Sequence, residues 1–284
     1  MRAKNDLANL RGGCALGRVT RPITFLSDYG NDDEFAGVCR SVIAWLAPDA
    51  RVVDISHGVP RQGVLRGALM LQRALPFAAP GVHLAVVDPG VGTRRRPVVI
   101  RTKDEDRLLV GPDNGLLAPA AERFGGAAEA FDITRSQFAL DGAGGTFDGR
   151  DLFAPVAAKL AAGAELADAG EPFDPAELKT LKLPLPSLEG EALRCRILDV
   201  DGFGNAATNA IPEDLPGLGP GMQVQVTGAT NVRLPYAIAF ADVDTGLPLL
   251  FTDSSGALAF GVNLGSAADR LGLAPGDEIL LRVL

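Results

Sequence analysis

Residues 82–96 read VHLAVVDPGVGTRRR, and this stretch decides the fold. Its first six residues are apolar apart from His83. They show no alternation of apolar with polar side chains, which predicts a strand covered on both faces, as in a parallel sheet. The strand ends in Asp88, and Pro89, Gly90 and Gly92 then force a tight loop. Working outward, PITFLSD (22–28) and VVDIS (52–56) predict two further strands with polar carboxyl ends. Residues 97–102 and 107–111 predict a hairpin around 103–106. Helical spacing runs from Asp33 to Leu46, where Phe35, Val38, Cys39, Val42, Ile43 and Leu46 share one stripe. Asp32 or Asp33 is the expected N-cap, and Pro48 stops the helix. Further helices are expected over 63–75, after Gly115, and over 151–162 with Asp151 as N-cap.

This alternation predicts an α/β fold, with an N-terminal, mostly parallel sheet flanked by helices. Ligands of such sheets sit beyond the carboxyl ends of the strands. Asp28, the Ser56–His57 pair and Asp88 all fall at such ends, so they are expected on one edge of one sheet. Past a proline-rich stretch (171–190) the pattern changes. Residues 191–201, 222–227, 232–243 and 247–262 predict strands with turns at Gly202, Gly228 and Gly256, followed by a helix over 265–272 and a strand over 278–283. The expected organisation is a disordered tail (1–20), an α/β domain (21–170), a linker (171–190) and a smaller, mostly-β C-terminal domain (191–284).

Composition narrows the function. A formal net charge of −8 disfavours a phosphate backbone as partner, so no nucleic acid is expected. Cys14, Cys39 and Cys195 have no metal-site or C-x-x-C spacing and predict reduced thiols in a cytoplasmic protein. With only His57 and His83 to add, no metal is expected. The first residues lack the apolar core of a signal peptide, and no run is apolar enough to span a membrane.

Three segments carry candidate chemistry. In 86–96, Asp88 and the arginines 94–96 offer an acid beside a guanidinium; the same residues also read as a turn with solvated arginines, or as a phosphate loop lacking Walker spacing. In 144–155, Asp148 and Arg150 lie in a glycine-rich turn before a helix, and no dinucleotide fingerprint is completed. Asp28, in SDYGNDDEF, could grip ribose hydroxyls or close an Asx turn. PDNG (112–115) reads as a turn, and His57 as a structural hydrogen-bonder.

Seven segments in order resemble the S-adenosyl-L-methionine hydroxide adenosyltransferase family, relatives of the fluorinase and chlorinase enzymes. They are SDYGNDDEFAG (27–37), VVDISHGV (52–59), VVDPGVGTRRR (86–96), GPDNGLL (111–117), TFDGRDLFAP (146–155), DGFGNAATN (201–209) and SSGALAFGVN (254–263). The resemblance implies hydrolysis of S-adenosylmethionine to adenosine and methionine, with no cofactor, by a homotrimer with sites between subunits. It places Asp88 and Arg95 in the family's Asp–Arg–His triad. Asp148 stands where the family has histidine. The resemblance further implies Asp28 as ribose ligand, Asp33 near the methionine end, Asp201 and Asn205 at the methionine amine and the adenine, with Phe203 in the same loop, Phe240 as the adenine-stacking ring, and Ser254 near the methionine carboxylate. Ser255 occupies the position where the halogenases carry an arginine.

The expected chemistry is in-line attack of water on the ribose 5′ carbon, with Asp88 accepting a hydrogen bond from the water, Arg95 holding Asp88 or the water, and Asp148 as second acceptor. With a reference pKa of about 3.9 against about 6.5, an aspartate is a poorer base than histidine at neutral pH. The alternative is a non-catalytic sensor that binds S-adenosylmethionine or adenosine. A halogenase fits less well, because a carboxylate at Asp88 repels halide.

Overall fold

The computed structural model describes residues 20–141, 143 and 145–284, and its chain divides into two units, Met1–Leu181 and Lys182–Leu284. Apart from Thr20, the stretch expected as a tail lies outside the described residues, as do Cys14, Gly142 and Gly144. The boundary between the units falls within the proline-rich 171–190 stretch.

The first unit holds strands β1 (Ile23–Ser27), β2 (Val52–Ser56), β3 (Val82–Val86), β4 (Pro97–Thr102), β5 (Leu108–Pro112), β6 (Ala127–Asp132) and β7 (Glu171–Phe173). They form one sheet in the order β2-β1-β3-β5-β4-β6-β7. The pairs β1–β2, β1–β3 and β3–β5 are parallel, and β4 and β7 run against the rest. The mostly parallel reading therefore holds for the half of the sheet that carries the candidate site. Helices α1 (Phe35–Leu46), α2 (Val64–Ala74), α3 (Ala118–Arg123), α4 (Ala154–Ala161) and α5 (Leu166–Ala169) complete the unit.

The continuous apolar strands are explained by their two-sided burial. In β1 and β3, Ile23, Phe25, Val82, Leu84 and Val86 face a core built with α1 and α4. Leu26, Ala85 and Val87 face a second core with residues of α2 and α3. Complete burial of a side chain such as Phe25 or Leu84 stabilises the fold by roughly 1.5–3 kcal/mol. His83 points into this interior, where its Nδ1 lies 2.9 Å from Thr24 Oγ1 and its Nε2 3.2 Å from Arg107 Nη1. Burial, with Arg107 beside it, pushes its pKa down to about 3.

The second unit is built from β8 (Ser187–Glu189), β9 (Ala192–Val200), β10 (Ala206–Thr208), β11 (Gln223–Gly228), β12 (Val232–Pro235), β13 (Pro248–Thr252), β14 (Leu258–Val262) and β15 (Glu278–Val283), with the short helix α6 (Ala267–Leu271) before the last strand. Every strand pairing is antiparallel, in the order β12-β11-β15-β9-β10-β14-β13 with β8 on β9. The path's two ends meet at an isolated Tyr236–Leu250 bridge, so the sheet curls back on itself and protects its edges. Strand β9 buries alternate residues, the pattern of a sheet with one face on the core.

Local expectations need correction in several places. Helix α1 starts one turn's edge later than Asp32 or Asp33 would cap it; Glu34 holds the cap position without a side-chain bond, and both aspartates are exposed. Asp151 is no N-cap: it is buried inside a π-turn, Gly149–Phe153, and paired with Arg150. The strand expected over 232–243 stops at Pro235, which cannot donate to a ladder. Beyond it, Asp242 Oδ2 accepts from the amides of Ile238 and Ala239 and closes a 3-10 turn over Phe240–Asp242. The turn expected at Gly256 is present: residues 247–262 form two strands, β13 and β14, with Gly256 at positive φ between them. Cys39 and Cys195 are free and buried, and burial pushes each thiol up to about 12, so neither acts as a nucleophile. No helix among the described residues is long and apolar enough to cross a membrane.

Candidate active site

The carboxyl ends of β2, β1 and β3 are adjacent in the sheet, which puts His57, Asp28 and Asp88 along one edge. Asp88 follows β3 and is 6% exposed at its side chain. The loop after it folds back through Val91 N to Asp88 O (3.2 Å) and Thr93 N to Gly90 O (3.1 Å). Gly92 takes φ +74°, a conformation that favours glycine. A Cβ at Gly90 would stand 3.0 Å from Arg95 Cγ, so the missing side chain lets the arginine lie back over its own loop. Arg95 thereby returns to Asp88: Nε donates to Asp88 Oδ2 at 2.8 Å, and Nη2 touches the same oxygen. Nη2 also donates to Asp148 Oδ2 at 2.6 Å.

One buried guanidinium thus bridges two buried carboxylates, a cluster with one net negative charge. Arg95 stays protonated: burial opposes its charge, but Asp88 and Asp148 outweigh that and raise its pKa. Of its neighbours, Arg94 is exposed, while Arg96 lies over the Phe173 ring (4.2 Å) and pairs with Glu177. Asp88 Oδ1 is buried and has no hydrogen-bond partner among the described residues. Such a group is costly to leave unsatisfied and calls for a donor that the described residues do not supply.

Asp148 sits immediately before the π-turn that leads into α4, and turns of this kind often occur at functional sites. Next to it in sequence, Phe147 packs edge-on against Tyr29 and Phe35, which are tilted against each other, with centroid distances of 5.3–6.1 Å. Asp28 Oδ2 accepts from Gln62 N at 2.9 Å, which holds Gln62 at φ +63°. Asp33 is exposed at the start of α1 and is not brought to the cluster by any contact.

Two supports were not read as functional in the sequence. Asn114, in PDNG, donates from Nδ2 to Val87 O at 2.8 Å and so braces the backbone next to Asp88. His57 Nδ1 lies 2.7 Å from Ser27 Oγ, its Nε2 lies 3.2 Å from Asp54 Oδ1, and its carbonyl accepts from Gly30 N at 2.8 Å. Ser, His and Asp here do not form a nucleophilic triad, because Ser27 is fully buried. The group fixes the Asp28–Gly30 loop. A mostly apolar cavity of about 180 Å³, lined by Val98, Ile100, Leu117, Ala121 and Leu178, contains none of these residues.

In the second unit, Asp201 organises its loop by accepting from Phe203 N (2.8 Å), Asn205 N (2.9 Å) and Asn205 Nδ2 (2.8 Å). Phe203 is 83% exposed. Phe240 packs against Phe251 at 4.9 Å, and a Cβ at Gly261 would meet Phe240, Phe251 and Asn205 Oδ1 within 2.6–3.3 Å. Gly261 therefore permits an aromatic ring and a carboxamide to share one spot. Ser254 is exposed at the tip of the β13–β14 hairpin, whose turn is tied by Asp253 Oδ1 accepting from Ser255 and Ala257 amides.

Fold and site together define a two-unit protein with an acid–arginine–acid cluster at the carboxyl edge of the parallel half of its first sheet. The chain belongs to the S-adenosyl-L-methionine hydroxide adenosyltransferase family: models of its N-terminal and C-terminal domains match residues 23–170 and 195–280. Among relatives, the protein named (R)-S-adenosyl-L-methionine hydrolase from Salinispora tropica is 45% identical over 260 residues, 90% of this chain and 96% of that one. The protein of the same name from Thermus thermophilus is 39% identical, over 92% and 99% of the two chains. A solved structure of an uncharacterized conserved protein from Thermotoga maritima superposes with TM-score 0.84 at 38% identity, over 92% and 99% of the chains. Proteins named fluorinase are more distant, at 28% identity for that of Actinoplanes sp..

Proposed function

We propose that this protein hydrolyses S-adenosyl-L-methionine to adenosine and L-methionine by in-line attack of water on the ribose 5′ carbon. The observation that carries the reading is Asp88 Oδ1, buried and without a partner beside the guanidinium that fixes its other oxygen. A water molecule donating to Oδ1 satisfies that oxygen and is held by it. Family membership and the hydrolase names of the relatives support the substrate, including its (R) configuration at sulfur.

In the reaction, the water oxygen forms a bond to C5′ as the C5′–S bond breaks. Both electrons of that bond go to sulfur, and methionine leaves as a neutral thioether. The water loses one proton, which Asp88 accepts and passes to solvent. The sulfonium supplies its own leaving group, so the chemistry calls for no cofactor. Positioning provides much of the rate gain. The net negative charge of the cluster favours the cationic substrate, and its burial strengthens that attraction. Asp148 shares Arg95 with Asp88 and serves as second acceptor.

Asp28 grips the ribose hydroxyls with the carboxylate that Gln62 orients. Asp33 meets the methionine end. Asp201 and Asn205 serve the methionine amine and the adenine, Phe203 walls the same loop, Phe240 stacks on the base, and Ser254 meets the methionine carboxylate. The working form is a cytoplasmic homotrimer with sites between subunits. The fixed carboxylate at Asp88 repels chloride and fluoride and argues against halogenation. Incubation with S-adenosylmethionine tests the reading: adenosine and methionine in equal amounts support it, and calorimetric binding without adenosine identifies a sensor.

A further inference from the structure

Tyr29 is the one polar side chain of the aromatic cluster beside Asp148, and its position needs an explanation. Its ring packs edge-on against Phe25 (6.5 Å) and Phe147 (5.6 Å) and tilted against Phe35 (6.1 Å), contacts that a phenylalanine would make equally well. Its hydroxyl makes no hydrogen bond to the described residues, so it contributes nothing to the fold that a ring alone would not. Yet the structure makes room for it. A Cβ at Gly149 would overlap Tyr29 Oη, so glycine at 149 leaves room for the hydroxyl where it lies, next to Asp148. Burial, reinforced by Cys39, Asp28, Asp88 and Asp148, raises the phenol's pKa well above its ordinary value. The group therefore remains an O–H donor across the working pH range.

The water that attacks C5′ must spend its hydrogens on acceptors and keep one lone pair aimed at carbon. Asp88 Oδ1 takes one hydrogen, and Asp148, which shares Arg95 with Asp88, is the further acceptor of the cluster. The two carboxylates offer the water only acceptors, and the Arg95 Nε and Nη2 donors are directed at those carboxylates, which leaves the water's spare lone pair undirected. A neutral donor fixes that lone pair without adding charge. We propose that the Tyr29 hydroxyl is a further catalytic group, donating a hydrogen bond to the attacking water and so orienting it toward the 5′ carbon. No proton is transferred from Tyr29; its O–H bond persists through the step. This assignment rests on the hydrolytic reading above.

Tyr29→Phe removes the hydroxyl and keeps the ring. Turnover of S-adenosylmethionine by wild type and variant, followed as adenosine at saturating and limiting substrate, reads kcat and KM separately, and thermal unfolding is recorded alongside. The expected result is a fall in kcat of about tenfold or more, the worth of one lost transition-state hydrogen bond, with KM and Tm unchanged. A kcat within twofold of wild type overturns the assignment. So does a rise in KM with kcat unchanged, which would put the hydroxyl on the substrate. Absence of adenosine from the wild type overturns the proposed function itself, whereas equal adenosine from both proteins overturns only the role of Tyr29.

Discussion

Asp148 is the residue at which this chain departs from the Asp–Arg–His pattern it resembles, and the structure shows how the departure is accommodated. The carboxylate takes one end of the Arg95 bridge, and Asp88 takes the other. No histidine contacts the bridge: His57 is bonded through Nδ1 to Ser27, with Nε2 near Asp54, and His83 lies in the interior. Turnover should therefore be flat through the range where a free histidine titrates, about pH 5.5–7.5. Asp148→His should introduce an acid limb in that range, seen in kcat against pH; a wild-type profile that already bends there would implicate a histidine. Asp88→Asn keeps the shape and hydrogen-bonding reach but removes the basic acceptor. It should lower kcat by about 10²–10⁴-fold, the usual worth of a positioned base, while calorimetric affinity for substrate changes little. The sequence singled out Asp88 beside the arginines 94–96, and the family resemblance chose Arg95 among them, but neither showed the partnerless Oδ1, which depends on how the 89–94 loop folds back.

At the scale of elements, the decisive piece is the π-turn over Gly149–Phe153. It delivers Asp148 to Arg95 and buries Asp151, and its first residue must be glycine to clear Tyr29. Gly149→Ala should cost about 1–3 kcal/mol in denaturant unfolding, as overpacking typically does, and should reduce turnover because Asp148 moves with the turn. An alanine variant with wild-type stability and rate would contradict this close approach. Such a turn is invisible to periodicity: GRDLF reads as the start of an ordinary helix, which is why Asp151 resembled an N-cap. The same blindness applies at 232–243, where apolar residues suggested a long strand and Pro235 with Asp242 bent the chain away. By contrast, β1, β3 and α1 were legible, since two-sided burial and a helical stripe write themselves directly into apolar spacing.

For the molecule as a whole, the buried His83 sets a limit on acid stability. Its folded pKa of about 3 lies below the unfolded value of about 6.5. Above 6.5 both states are neutral and the group has no effect. Between about 6.5 and 3 only the unfolded state binds the proton, so stability falls as pH falls, by up to about 1.4 kcal/mol per pH unit. Urea midpoints measured from pH 7 to pH 4 should show this slope, and His83→Gln should flatten it; an unaltered slope would place the acid sensitivity elsewhere. The proposed trimer should sediment at about three times the 29.5 kDa chain mass, and a monomer at working concentrations would remove sites shared between subunits from the account. The division into an α/β unit and a β unit could be read from the change of pattern past the proline-rich stretch, and so could the β4–β5 hairpin, whereas β6 and β7 could not, because they are short or only half apolar.

The account stands on water as the nucleophile, and turnover in oxygen-18 water tests this most directly. Mass spectrometry should find one heavy oxygen in the 5′-hydroxyl of adenosine and none in methionine. Unlabelled adenosine, or a 5′-halogenated nucleoside formed in the presence of halide salt, would contradict it.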